Sequence, residues 1–270
     1  MSTVTLDVAS CTNVGQHRAL NEDSILARDP VFIVADGMGG HDAGEKASYI
    51  AVQELSKIGA SPSIEDVRDA LTRARWNIDC ISATNPRRAA GTTVTGLVLV
   101  EQAGQPYWLV VNVGDSRTYS VVDGELKQVS VDHSEVQEMI DAGRLDEQSA
   151  HDYARRHVIT RVLGAHTVES PDYWLIPVEP SQRWMVCSDG LTGELSDHQI
   201  AQILTEQPSP RTAVNTLVDE ALAAGGRDNV SVIIVDVVGL EGFNSCLDEK
   251  TIEEVTTAAL TAGSVEGVTQ

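Results

Sequence analysis

The stretch Val31-Phe32-Ile33-Val34-Ala35-Asp36-Gly37-Met38-Gly39-Gly40 decides how the rest of the chain is read. Its apolar opening, rich in Val and Ile, suits a strand covered on both faces. The run ends abruptly in a carboxylate and a glycine cluster, which permits φ > 0 and close approach of a ligand to the backbone. A turn-forming role is the plain reading of Asp36, since Asp is common in turns. The same grammar, Asp beside Gly at a strand end, recurs at Gly114-Asp115, Asp189-Gly190 and Gly226-Arg227-Asp228, and this favours a ligand role.

On the N-terminal side, residues 3–9 alternate like a strand with one wet face. They lead into a loop, residues 15–23, whose Arg18, Asn21, Glu22 and Asp23 are too polar for a core segment. A hairpin through Arg28-Asp29-Pro30 would set Glu22, Asp23 and Asp36 side by side. On the C-terminal side, the spacing predicts a helix over 44–57 with Ala47, Ile50, Ala51, Leu55 and Ile58 inward. A second helix is capped by Ser63 with Asp66 as the capping-box carboxylate, and its stripe is Ile64, Val67, Leu71, Ala74, Ile78 and Ile81. Trp76 and Cys80 are expected to pack. Beyond Pro86, strands are predicted over 92–100, 107–113, 117–122 and 126–129, and their short turns imply antiparallel pairing. Residues 132–164 are polar, mostly helical and without a core stripe, so they read as an excursion from the sheet that forms a mobile flap over a site. Strands return at 173–178, 184–187 and 230–238, separated by a helix with the capping box Ser196-Asp197-His198-Gln199 and one opened by Ser209-Pro210. The domain is expected to span 1–240, followed by an acidic polar tail over 241–270.

A chain of 270 residues can bury a large core. Its net charge of −21, from 40 acidic and 19 basic residues, argues against nucleic-acid or anionic-lipid partners. Cys11, Cys80, Cys187 and Cys246 show neither zinc-finger nor disulfide spacing, which suits a reducing cytoplasm. Met1 to Asp7 lacks the parts of a secretory signal, and no run of about 18 apolar residues suggests a membrane span.

Asp36, Asp115, Asp189 and Asp228, with Glu22 and Asp23 one hairpin away, would form a cluster of one sign. Like charges about 4 Å apart repel by about 4 kcal/mol at an effective dielectric near 20, so such a cluster needs cations. All-oxygen ligands select hard ions, Mg²⁺ or Mn²⁺. Two such ions can lower the pKa of a shared water and clamp a phosphate, whose oxygens the fork of Arg18 fits bidentately. Other phosphate signatures fail. Gly39 and Gly44 have Walker A spacing but Glu45 stands where Lys is required, and Asp42 occupies the third glycine of a dinucleotide fingerprint. A phosphoaspartyl hydrolase would carry a second Asp at position 38, which is Met38.

Arg18 with Asn21-Glu22-Asp23, Asp36-Gly37-Met38-Gly39-Gly40-His41, Gly91-Thr92-Thr93, Gly114-Asp115-Ser116-Arg117, Ile159-Thr160-Arg161-Val162-Leu163-Gly164, Ser188-Asp189-Gly190-Leu191 and Gly226-Arg227-Asp228-Asn229 stand in a telling order. Together they resemble the ordered motifs of the type 2C, metal-dependent protein serine/threonine phosphatases, bacterial branch, over residues 4–238. The resemblance implies an α+β fold: a four-layer αββα sandwich of two antiparallel sheets flanked by helix pairs, with a metal site at one end between the sheets. It also implies two or three Mn²⁺ or Mg²⁺ ions. Asp36 would be shared by two metals, Asp189 and Asp228 would hold the first, and the Gly37 carbonyl and Glu22 the second. Asp23 would act behind them or through water, Asp115 with Asp189 would form a third site, and Arg18 would bind the substrate phosphate. The nucleophile would be water or hydroxide bridging the metals, with no phosphoenzyme.

Met38 replaces a His that eukaryotic relatives place after the Asp-Gly, where it is proposed to protonate the leaving alkoxide. His41 is the candidate substitute, with a structural loop role as its alternative, and a metal-bound water could also serve. Asn229 is expected to brace Asp228 or the metal's water shell, or to serve only the local turn. The expected activity is hydrolysis of phosphoserine and phosphothreonine on proteins, opposing a serine/threonine kinase. The alternative is a non-catalytic phosphoprotein-binding module of the same fold.

Overall fold

A computed structural model describes residues 3–39, 42–84, 89–122, 124–146, 153, 158–165 and 170–242. Strands β2 (Asp23–Arg28) and β3 (Val31–Met38) form the expected hairpin, with Val31 to Ala35 fully buried and Asp23 directly opposite Asp36. That register is what carries two carboxylates to one end of the strand pair. β1 (Thr3–Asn13) lies along β12 (Val230–Glu241) in the other sheet.

The first sheet runs β10 (Asp172–Pro177), β6 (Gln105–Val113), β5 (Val94–Gln102), β3, β4 (Gly91–Thr92), β9 (Leu163–Gly164), and β2 also pairs with β3. The second runs β1, β12, β11 (Arg183–Cys187), β7 (Arg117–Val122), β8 (Glu125–Gln128). Every ladder is antiparallel. Between the sheets, Phe32, Trp108 and Trp184 meet edge to face at 6.1 and 6.2 Å, and the indoles of Trp108 and Trp184 donate to Gln182. Nearer the Asp36 end, that interior turns polar. Thr95 and Thr118 bridge the two sheets at 2.9 Å, and Thr93 and Ser116 do so at 2.8 Å.

Helices α1 (Ala43–Leu55) and α2 (Ile64–Thr84) cover the first sheet through Ala47, Ala51, Leu55, Val67, Leu71 and Ile78. On the second sheet, α5 (Asp197–Glu206) and α6 (Pro210–Ala224) pack Ile200, Leu204, Val214 and Leu217 against Met185, Val232 and Ile234. Two short helices, α3 (Glu135–Asp141) and α4 (Asp189–Thr192), complete the described set. The Ser63–Asp66 and Ser196–Gln199 capping boxes form as the sequence predicts. The four layers are thus helices, sheet, sheet, helices. No described helix is long and apolar enough to cross a membrane.

Four expectations change. Trp76 is 69% exposed and Cys80 is exposed, because each stands two residues, about 200°, from a buried position of α2. The strand expected over 92–100 is broken at Thr93 into β4 and β5. β12 extends past Val238 to Glu241 because Thr3, Val4 and Thr5 pair with its last residues. The excursion after Asp132 carries only α3 as helix among its described residues and returns to the sheet as β9. The tail residues 243–270 lie outside the described residues.

Candidate active site

The break at Thr93 clasps Asp36. Its hydroxyl accepts the Asp36 amide at 3.0 Å, while its own amide and the Thr92 hydroxyl donate to the Asp36 carbonyl at 2.8 and 2.9 Å. Next along the chain, the Gly37 amide donates to the Glu22 carbonyl at 3.1 Å. A Cβ on Gly37 would collide with the Gly44 carbonyl, and one on Gly44 would lie 2.8 Å from the Gly37 oxygen and 2.5 Å from Glu22 Oε1. Only glycines let strand, helix start and Glu22 close up so tightly.

The other carboxylates arrive from different elements. Asp189 opens α4 immediately after β11, and Asp228 precedes β12. Asp115 occupies the β6–β7 turn, where the Gly114 amide donates to His133 Nδ1 at 3.2 Å and the Gly114 carbonyl accepts the His133 amide at 2.9 Å. Asp23 accepts the Ser188 hydroxyl at 2.8 Å, and Ser188 in turn accepts the Ser231 amide. Asp23 and Asp115 are buried, and Asp36, Asp189, Asp228 and Glu22 are partly buried. All six expected carboxylates therefore share one end of the sandwich.

Their mutual repulsion is evident. Burial first, then Asp23, Asp189 and Asp115, together with a hydrogen bond to Asp189, hold Asp36 well above the ordinary carboxylate range. Asp115 is raised by burial and by Asp189 and Asp132. Burial, with Asp189 and Asp228, pushes Asp23 up to about 7 against the downward pull of Ser231 and Ser188. Glu22 is raised mainly by burial, although Arg18 opposes this. Buried oxygens of Glu22, Asp23 and Asp115 have no hydrogen-bond partner. Among the described residues, no three Asp, Glu, His or Cys side chains already converge as a ready-made cation cage. Asp36 and Asp189 instead share a hydrogen bond, and Asp228 pairs with Arg18. A set of hard oxygen donors with orphaned lone pairs and surplus negative charge fits divalent cations and nothing softer.

Arg18 stands at the rim, its Nη2 2.6 Å from Asp228 Oδ2. Partial burial works against its charge, yet Asp228, Asp36 and Glu22 raise its pKa above the guanidinium's usual value. His41 and Gly40 lie outside the described residues, and Met38 ends β3 largely exposed. The Asn229 side chain serves neither Asp228 nor its own turn, because it bonds the loop that carries Arg18. Sequence reading passed over Thr93, Ser116 and Ser188 as braces. Hydroxyls with partners far away in the chain leave no periodic signal.

The model for "Protein phosphatase 2C" matches residues 16–224. The chain belongs to the protein phosphatase 2C family. Among curated family members it is 36% identical over 241 residues to the serine/threonine protein phosphatase PstP of Mycobacterium tuberculosis, covering 87% of this chain and 46% of that protein. The chain thus spans about half the length of PstP. It is 30% identical to the protein phosphatase PhpP of Streptococcus pneumoniae, covering 86% of this chain and 98% of PhpP. A crystal structure of the PstP catalytic domain in complex with two manganese ions superimposes with a TM-score of 0.79 at 33% identity, over 88% of this chain and all of that one. The sandwich described above is the protein phosphatase 2C fold.

Proposed function

We propose that this protein hydrolyses phosphoserine and phosphothreonine on proteins, opposing a serine/threonine kinase in the cytoplasm. The observation that carries the reading is the gathering of Glu22, Asp23, Asp36, Asp115, Asp189 and Asp228 at one end of the sandwich, with unpartnered oxygens inside and Arg18 at the rim. Two or three Mn²⁺ or Mg²⁺ ions would be held by Asp36, Asp189 and Asp228, by Glu22 and the Gly37 carbonyl, and by Asp115. Asp23 would steady them from behind. Bound there, the ions would supply charge neutralisation and acidification of water.

This chain's own groups do the rest. Arg18 receives the substrate phosphate through its fork and holds it over the carboxylates. Thr93, through the Asp36 backbone, fixes the central carboxylate. Water oxygen bonds to phosphorus and gives up a proton to solvent, the bond to the seryl or threonyl oxygen breaks, and that oxygen takes up a proton. His41 is proposed as the proton's donor. Residues 1–240 are taken as the phosphatase domain and 241–270 as an appended acidic segment.

Release of phosphate from a phosphothreonine peptide tests the reading, measured with Mn²⁺, with chelator and in Asp36→Asn and Asp189→Asn. Metal-dependent release that falls by orders of magnitude in both variants is expected. Release that persists in chelator, or in both variants, would overturn it.

A further inference from the structure

Arg18 lies in a loop with no secondary structure of its own between β1 and β2, exposed from Gln16 to Leu20. A phosphate-binding guanidinium on such a loop needs something to fix its approach. From the geometry we infer that Asn229 is the positioning residue that sets Arg18 over the carboxylates, an inference that rests on the phosphatase reading above.

The Asn229 amide spends three of its four hydrogen-bonding positions on this loop. Its Nδ2 donates to the carbonyls of Val14 at 2.9 Å and Leu20 at 3.0 Å, which bracket Arg18. Its Oδ1 accepts the Glu22 amide at 2.8 Å. The residue is itself rigidly held. It is buried, its amide donates to Asp228 Oδ1 at 2.8 Å, and its carbonyl lies so close to Gly190 that a Cβ there would collide with it. One side chain thereby ties the Arg18 loop to the turn carrying Asp228, next to the turn carrying Asp189. Asn is chemically specific here. Asp would keep the acceptor and lose both donors, and Leu would lose all three bonds.

A second tether shows what should survive its loss. The Gln16 amide donates to Gly226 and its side chain to Leu222, both at 2.7 Å. Without Asn229 the loop therefore stays attached at Gln16 and at Asn21, whose side chain donates to Thr12 at 2.9 Å, while the Val14 and Leu20 carbonyls and the Glu22 amide lose the side chain that holds them. Phosphate capture should suffer more than turnover.

The test is a double-mutant cycle on the full chain at saturating Mn²⁺, with wild type, Asn229→Ala, Arg18→Ala and the double variant, read as KM and kcat on a phosphothreonine peptide. Asn229→Ala is expected to raise KM about tenfold with kcat changed less than about threefold, and to add less than about twofold to KM when Arg18 is already gone. Amide exchange in the metal-free protein is the independent reading. The Glu22 amide should exchange faster in Asn229→Ala, while the β12 amides keep their protection. If the alanine variant does not fold, Asn229→Ser, which retains a hydroxyl, enters the same cycle. An unchanged KM, or a KM effect that multiplies in full on the Arg18→Ala background, overturns the inference and leaves the phosphatase reading intact. A wild-type protein that releases no phosphate overturns that reading, and this inference with it.

Discussion

At the scale of single residues, Asp36 is held where it is least comfortable. Burial and three neighbouring carboxylates disfavour its charge, so its ionised form is strained unless cations are present. Asp36→Asn should therefore abolish phosphate release and, in chelator at pH 7, raise the thermal midpoint above that of wild type. Calorimetry of both proteins in chelator checks this, and a lower midpoint for the variant would refute the repulsion argument. Thr93 offers the complementary case. Thr93→Val leaves the buried Asp36 amide and the Ser116 hydroxyl without their partner, at an expected cost of about 1–3 kcal/mol in urea unfolding, while Thr93→Ser stays near wild type. Asp36, Asp115 and Asp189 were legible because each sits beside glycine at a strand end, Asp228 because it follows Gly226 by two residues ahead of a strand, and Glu22 and Asp23 because a polar loop and a hairpin bring them to Asp36. Their braces were not, since Asn229 and Val14 stand 215 positions apart and only the folded chain brings them together.

At the scale of elements, α1 and α2 are joined by more than their apolar stripes. Glu54, nearly buried, faces Lys57 at 2.6 Å, Arg73 at 3.4 Å and Asn77 at 3.0 Å. The Lys57 hydrogen bond first, against a desolvation penalty, with Lys57 and Arg73 charge behind it, lowers the Glu54 pKa below 4.5. A lowered acid pKa stabilises the fold above the unfolded-state value, and that contribution is lost as pH falls through the folded-state value. Between pH 5 and pH 3, wild type should lose more urea stability than Glu54→Gln; equal losses would show that the pair contributes nothing. Helices and their caps were readable because stripe and capping box are local patterns. The break at Thr93 was not, since β4 and β5 look like one strand until the need to clasp Asp36 interrupts them. The exposure of Trp76 follows from its spacing, about 200° from the buried Ala74, which outweighs the general tendency of tryptophan to be buried.

At the scale of the whole molecule, cation binding and folding should be coupled, because only the native state gathers the carboxylates at one end of the sandwich. A ligand at about one hundred times its Kd adds about 2.7 kcal/mol, which for a domain of this size is a rise of roughly 5–10 °C in Tm. Adding Mn²⁺ to chelated protein should produce such a rise, and Asp36→Asn should blunt it. A shift of the same size in the variant would place the ion elsewhere. The sandwich itself was legible through the resemblance of the ordered motifs to a known family, and the strand texture, short turns and helices agree with it. The return of the 132–164 excursion as β9 was not, because two residues of strand carry no pattern.

The long β1–β12 ladder has a bearing on how this molecule can be handled. Asn13 lies opposite Val230 beside the carboxylates, whereas Thr3 lies opposite Glu241, at the far end of an 11-residue strand and therefore about 33 Å away. A tether, label or fused domain joined near Thr3 or Glu241 would emerge at the pole remote from the carboxylates. A circular permutant that links those neighbouring points and opens at the Ala103-Gly104 turn would keep every carboxylate in its native place.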